Sequence, residues 1–417
     1  MQITVDLSRL LSELETLASF SDAPAPAVTR VVFSAQDLAA RAYLRKLFSE
    51  AALALRTDAV GNTFARWTGT DPSLAPVATG SHTDAVPHAG RYDGTVGVLG
   101  GLEAIRALQR SGFRPRPSIE LLVFTSEEPT RFGIGCLGSR MLSGTLSPEN
   151  ARRLKDGEGK SLEEILRQAA QAGSVEDGSL ENVRLAEGCY HAFVELHIEQ
   201  GPLLERKGIP VGIVTAIAAP AALRVTIEGA GGHAGAVLMP DRRDAFLAAA
   251  EIALAVESTA KATRSVDSVA TTGICNVFPG AVNSIPSRVV LEIDVRDIDI
   301  ARRDGMLGAI RSACETVTAK RKVRVEVELI NADAPARASP LITEALSASC
   351  RELGTGFMRM VSRAYHDSLF LSRIAPTGML FIPCRNGVSH RPDEYAAPED
   401  IKRGVQVLAS ALVQLAQ

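Results

Sequence analysis

Four short apolar runs, each closing on a cluster of ionisable side chains, constrain this chain more than any other feature. Val77-Ala78-Thr79 leads into Gly80-Ser81-His82-Thr83-Asp84 and then Tyr92-Asp93-Gly94. Ile119–Phe124 leads into Thr125-Ser126-Glu127-Glu128-Pro129. Residues 193–196 lead into His197-Ile198-Glu199-Gln200-Gly201, and residues 379–382, after a short loop, into Gly387-Val388-Ser389-His390-Arg391-Pro392. Apolar runs of this length bounded by turn residues read as buried strands, and the periodic stretches between them, such as 96–108 and 162–172, read as helices. Strands alternating with helices predict an α/β domain with a mostly parallel sheet and helices on both faces. In such open sheets ligands bind at the carboxyl ends of the strands, so the four polar clusters have one place to meet.

The stretch from about 221 to 330 has a different rhythm. An alternating strand at 223–228 is followed by an Ala-rich helix at 243–258, strands at 269–277 and 289–295, a helix at 300–320 and a strand at 323–329. The order β-α-β-β-α-β is the ferredoxin-like arrangement. A unit complete in itself predicts an inserted α+β domain at 218–330, with 1–217 and 331–417 forming a discontinuous catalytic domain. Ala-Ile-Ala-Ala-Pro (216–220) and Asn-Ala-Asp-Ala-Pro (331–335) read as the hinges. A length of 417 residues accommodates both.

The clusters supply imidazoles and carboxylates, a donor mixture that suits Zn, Mn, Co or Ni. One carboxylate can bridge two ions, so the expected sets are His82, Asp93 and His197 on one ion, and Asp93, Glu128 and His390 on the other. Asp84, two residues beyond His82, is positioned to accept the outer N–H of a ligand imidazole. Glu127 and Glu128 divide the remaining work. Neighbouring side chains on an extended segment point in opposite directions, and Pro129 favours extension at Glu128. Glu128 is therefore assigned to the metal, and Glu127 to the general base that takes a proton from activated water.

Singly, each piece has a plain structural reading. A Glu-Glu pair is usually a solvated surface, Asp93 before Gly94 could only cap a helix, and His197 could be a satisfied strand histidine. Together they fall where exposed charge serves no structural purpose. His88 and His191 have no motif around them and are read as structural or exposed. The six cysteines are scattered without a CxxC pair, so neither a thiolate zinc site nor a disulfide framework is indicated, and buried free thiols are the expectation. A formal net charge of −3 with no basic run argues against a nucleic-acid partner. No apolar run reaches the roughly 20 residues a membrane span needs, and the first residues lack the pattern of a secretory signal. A cytoplasmic location is expected.

The motifs resemble those of the M20-type amidohydrolases. They are His82-Thr83-Asp84, Tyr92-Asp93-Gly94, Thr125 to Phe132 (Thr-Ser-Glu-Glu-Pro-Thr-Arg-Phe), Cys136-Leu137-Gly138-Ser139-Arg140, His197-Ile198-Glu199-Gln200-Gly201-Pro202, Gly232-His233-Ala234-Gly235 and Gly387-Val388-Ser389-His390. The branch is that of the N-carbamoyl-L-amino-acid, allantoate and ureidoglycolate amidohydrolases, and the resemblance runs over nearly the whole chain. It implies a homodimer, a smaller lid domain that also makes the dimer contact, and manganese as the preferred ion. It also implies an oxyanion-stabilising role for His233 and substrate contacts through Gln200, Asn283 and Arg296. Without it, His233 would be read as a loop residue between glycines and Arg296 as a strand ion pair.

One stretch narrows the substrate. Ser362-Arg363-Ala364-Tyr365-His366-Asp367-Ser368 stands where carbamoylases and allantoate amidohydrolases carry Gly-His-Asp-Ala. Tyr365 fills space and adds a hydroxyl, which favours a small hydroxyl-bearing ureido compound. The run is similar to that of the plant ureidoglycolate amidohydrolases, and by that resemblance Tyr365 and His366 join the substrate contacts. The expected reaction is hydrolysis of ureidoglycolate. Allantoate and N-carbamoyl amino acids remain alternative substrates, and a metal-binding protein without catalysis is the reading from another class.

Overall fold

The computed structural model describes residues 3–176 and 178–417. It divides into two compact units. The first comprises Met1–Thr215, Arg337–Met360 and His366–Gln417, and the second Ala216–Ala336 with Val361–Tyr365. The short segment carrying Tyr365 therefore belongs to the second unit rather than to the catalytic part in which the sequence reading left it.

The first unit is built on one sheet. Its main strands, in chain order, are β1 (Ala54–Thr57), β2 (Thr63–Trp67), β3 (Val77–His82), β4 (Ile119–Phe124), β5 (Ala192–Ile198), β6 (Val211–Ile217) and β7 (Thr377–Ile382). The spatial order is β6-β7-β5-β3-β4-β2-β1. The middle pairs β7/β5, β5/β3 and β3/β4 are parallel. The flanking pairs β6/β7, β4/β2 and β2/β1 are antiparallel. The expectation of a mostly parallel sheet thus holds for its centre, and the whole is mixed. The reason is local: β1 and β2 are joined by a turn at 58–62 too short for anything but a hairpin.

Every residue of β3, β4, β5 and β7 is buried, as expected of strands covered on both faces. Side chains alternate between two apolar clusters. Leu121 and Val123 join one with Val194, Leu196 and the helices Thr95–Arg110 and Pro398–Leu415. Leu122 and Phe124 join the other with Phe193 and the helices Leu137–Ser143 and Leu162–Gln171. The period of two puts Glu195 and His197 on the Phe193 face. β3 lies between β4 and β5, where the chain order reverses, which is where ligands collect in open sheets.

The second unit has four long strands, Ala219–Glu228, Val269–Phe278, Arg288–Asp297 and Arg324–Ala332, with helices Ala245–Ala262 and Ile300–Arg321. All three pairings are antiparallel, with the first and third strands inside and the second and fourth at the edges. Both helices pack on the face carrying Leu223, Val225, Leu291 and Ile293.

All six cysteines are free. Cys136, Cys314, Cys350 and Cys384 are buried, whereas Cys189 is half-buried and Cys275 exposed. The expectation of six buried thiols fails at Cys275 because it lies on an edge strand of the second sheet. His88 and His191 are exposed. Among the described residues no helix is long and apolar enough to cross a membrane.

Candidate metal centre

Asp93 organises the site. Its Oδ1 lies 3.1 Å from His197 Nε2 and 3.6 Å from His82 Nε2, and its Oδ2 lies 3.2 Å from His390 Nε2. Glu128 Oε1 is 3.3 Å from the same His390 nitrogen. Each carboxylate oxygen of Asp93 thus faces one donor set, His82 and His197 on one side and Glu128 and His390 on the other. Both triads have donor atoms within 4.8 Å of one another.

Local chemistry fixes the imidazoles. His82 Nδ1 is 3.1 Å from the carbonyl of Asp84, and His197 Nδ1 is 2.9 Å from the carbonyl of Ile198. A carbonyl can only accept, so both rings carry a proton on Nδ1, and Nε2 is the nitrogen turned towards Asp93, the atom a metal ion would take in place of a proton. Gly94, at φ 64°, follows Asp93, and a Cβ there would sit 2.5 Å from His82 Nε2. Only glycine lets the turn pass that close to the ring.

Asp84 acts differently from expectation. Its carboxylate is 3.7 Å from His82 Nδ1, too far for a hydrogen bond. Instead it accepts the backbone N–H groups of Glu127 at 3.2 Å and Glu128 at 3.0 Å. The residue's carbonyl holds His82 and its carboxylate holds the two glutamates. Glu127 turns away from Glu128: its Oε1 receives the Cys136 thiol at 3.6 Å, and its Oε2 lies 3.9 Å from His82 Nε2.

Gln200 joins the cluster, donating from Nε2 to Asp93 Oδ2 at 2.7 Å, while its Oε1 is buried without a partner. His366, expected among the substrate contacts, is buried with its ring 4.6 Å from that of His197 and 5.7 Å from Phe381. It packs behind the His197 ring, just beyond the short strand Phe357–Ser362, rather than facing open space.

The electrostatics ask for cations. Burial would raise the Asp93 carboxyl, but hydrogen bonds from His197, His390 and His82 outweigh it and hold Asp93 well below the usual range. Burial, reinforced by Glu128, Asp367 and Asp93 against the opposing His82, pushes Glu127 well above its ordinary value. Burial and Asp93 raise Glu128 to about 7, with His390 and His82 opposing. His390 is raised to about 9, chiefly by Asp93. Buried carboxylates that resist ionisation together, imidazole Nε2 atoms turned inward and the orphaned Gln200 oxygen all fit a site for divalent cations.

Two residues that tie this cluster together, Ser389 and Glu394, escaped the sequence reading. Ser389 Oγ is 2.9 Å from both Asp93 Oδ2 and Glu394 Oε2. Ser389 precedes His390 and Glu394 follows it by four residues, but nothing in that spacing tells a hydrogen-bonding partner from a solvated neighbour.

The remaining expected residues lie in the second unit. His233 pairs across a short antiparallel bridge with Ser284, and Ala234 N–H donates to the Asn283 carbonyl at 2.8 Å. Gly235 N–H donates to His233 Nδ1 at 3.1 Å. Arg296 forks onto Asp294 at 2.8 and 3.1 Å and donates to the Arg363 carbonyl at 2.9 Å. The Tyr365 hydroxyl donates to Asp333.

The chain matches the peptidase family M20/M25/M40 over residues 78–414. It is 53% identical to the ureidoglycolate hydrolase of Arabidopsis thaliana, over 99% of this chain and 87% of that one. It is 39% identical to an N-carbamoyl-L-amino acid amidohydrolase of Geobacillus stearothermophilus, over 98% of each. Identity to the allantoate deiminase of Arabidopsis thaliana is 31%, over 94% of this chain and 79% of that one. Among solved structures, that of AtUAH in complex with (S)-hydroxyglycine superposes with a TM-score of 0.90 at 52% identity, covering 99% of this chain and 98% of the other. With a family match over most of its length and relatives this similar, the chain belongs to the peptidase family M20/M25/M40.

Proposed function

We propose that this chain is a ureidoglycolate amidohydrolase that uses two divalent ions. The observation that carries the reading is the fall in identity from 53% with a ureidoglycolate hydrolase to 39% with a carbamoylase and 31% with an allantoate deiminase. Tyr365, where the latter two groups carry glycine, supports it.

Water adds to the terminal ureido carbonyl of (S)-ureidoglycolate, and the C–N bond to the terminal nitrogen breaks. Ammonia leaves, and the carbamate loses carbon dioxide to give hydroxyglycine. That hemiaminal releases a second ammonia and becomes glyoxylate. A relative's structure holds (S)-hydroxyglycine, the product of the decarboxylation step.

His82, Asp93 and His197 would hold one ion, and Asp93, Glu128 and His390 the other. When bound, the ions supply Lewis-acid polarisation and a lowered pKa for the attacking water. Glu127 takes the proton from water and delivers it to the leaving nitrogen. Its Oε1 accepts the Cys136 thiol, so Oε2 is the oxygen left for proton transfer. Gly235 N–H donates to His233 Nδ1, which leaves the imidazole proton on Nε2 and makes it a donor for the oxyanion, worth about 3 kcal/mol. Gln200 and Asn283 bind the ureido group, and Arg296, whose Nε edge is held by Asp294, would turn its remaining Nη hydrogens to the carboxylate. Manganese is our choice of ion and a homodimer our choice of assembly, both on the family resemblance.

Product stoichiometry tests the chemistry. Two ammonia and one carbon dioxide per glyoxylate are expected, with no urea. Release of urea and glyoxylate without ammonia would place the cleavage at the other C–N bond and overturn the amidohydrolase reading.

A further inference from the structure

The two proposed ion sets differ in how their ligands are held. His82 and His197 end or lie within β3 and β5, neighbouring buried strands. His390 stands on a loop at φ 58° with 48% of its side chain exposed. Its partners Asp93 and Glu128 come from two further loops. Asp84 ties the Glu128 loop to the end of β3, which leaves the Asp93 and His390 loops to be joined.

Glu394 and Ser389 join them. Glu394 Oε1 accepts the backbone N–H groups of Tyr92 at 2.8 Å and Asp93 at 3.1 Å, although Tyr92 and Glu394 are 302 positions apart. Its Oε2 is 2.9 Å from Ser389 Oγ, and the same hydroxyl is 2.9 Å from Asp93 Oδ2, the oxygen that faces His390. Gln200 Nε2 donates to that hydroxyl at 3.3 Å. Glu394 is 5% exposed, and Gly90 makes room for it: a Cβ at position 90 would lie 2.3 Å from Glu394 Cβ and 2.4 Å from its Oε1. The carboxylate is thus built into the loop that carries Asp93.

We propose that Glu394, acting through Ser389, is a positioning residue that locks the Asp93 loop to the His390 loop and thereby sets the affinity of the ion shared by Asp93, Glu128 and His390. It touches neither substrate nor the expected ions. Its loss frees the His390 loop and Asp93 Oδ2, the oxygen that faces it, and acts less on the other set, where Asp93 Oδ1 is flanked by His82 and His197 from strand positions. The inference depends on the two-ion reading of the site.

The test is calorimetric titration of metal-stripped protein with Mn²⁺ alone, for the unsubstituted chain and for Glu394→Ala, Glu394→Gln and Ser389→Ala. The unsubstituted chain should bind two ions of unequal affinity. In Glu394→Ala the weaker site should fall by about 10–100-fold, the range typical when a supporting partner of a ligand is lost, with the tighter site within threefold. Ser389→Ala should move the same site in the same direction by less. Glu394→Gln keeps an oxygen that can accept both backbone N–H groups and should restore most of the affinity. Equal losses at both sites, or no loss at either, would overturn the proposal. If Glu394→Ala does not fold, Ser389→Ala and Glu394→Gln decide alone. An unsubstituted chain that binds fewer than two ions would sink the two-ion reading itself, a result distinguishable from failure of the clamp.

Discussion

Replacing Glu127 by glutamine separates proton transfer from metal holding. Glu127 is 8% exposed, and its two oxygens are already differentiated, Oε1 by the Cys136 thiol at 3.6 Å and Oε2 by its place 3.9 Å from His82 Nε2. Glutamine keeps the length and shape and can still accept from the thiol, but it has no carboxylate to take up a proton. Loss of a positioned base costs about 10²–10⁴-fold in rate, equivalent to about 3–5 kcal/mol of barrier. Glu128, which faces His390 at 3.3 Å, is untouched, so the variant should still hold two ions. The assay is glyoxylate release for kcat and KM, with metal content measured on the same sample. The expected result is a kcat lower by about 10²–10⁴-fold, KM within a few-fold, and two ions per chain. A kcat within threefold of the unsubstituted chain would remove Glu127 from proton transfer. A missing ion would make Glu127 a ligand and reverse the division of labour between the neighbouring glutamates.

Gly94→Ala should cost metal before it costs fold. The added Cβ would meet His82 Nε2 at 2.5 Å and sit at φ 64°, a strain of about 1–3 kcal/mol for a residue other than glycine; metal analysis beside a melting curve checks it, and two retained ions would contradict the close approach. Tyr365→Gly empties the space that the ring fills and frees Asp333, and should lower kcat/KM for ureidoglycolate by about tenfold, about 1.4 kcal/mol of barrier; unchanged turnover would show that the tyrosine does not set specificity. Exhaustive chelation should abolish turnover and lower Tm, since ions at a hundredfold excess over Kd contribute about 2.7 kcal/mol per site. Add-back of Mn, Zn, Co and Ni then ranks the metals, and activity that survives chelation would end the metal account.

The parts of this site that sequence could reach are those where one side chain at one strand end carries one role. His82, His197, Asp93, Glu128 and His390 stand after buried runs, and the structure draws them around a single carboxylate. The two neighbouring glutamates do point apart, Glu128 to His390 and Glu127 to the Cys136 thiol. Roles that pass through backbone atoms were not legible. Asp84 binds two N–H groups rather than an imidazole, and Glu394 acts on Tyr92 and Asp93 from the far end of the chain. Neither relation leaves a spacing to read. The antiparallel flank escaped for another reason. β1 and β2 carry Arg56 and Arg66, whose charges lie towards Glu120 of β4 and interrupt the apolar pattern. The Val361–Tyr365 segment was left with the wrong unit because its ties, Arg363 to Asp267 and Tyr365 to Asp333, join residues far apart in sequence.

Ammonia and glyoxylate release by the Mn-loaded protein, with (S)-ureidoglycolate, allantoate and a panel of N-carbamoyl-L-amino acids assayed side by side, tests the central claim most directly. A kcat/KM for ureidoglycolate at least tenfold above every other substrate is the predicted result. A preference for allantoate or a carbamoyl amino acid would contradict it, leaving the ion-binding cluster in place but removing Tyr365 as the residue that chooses the substrate.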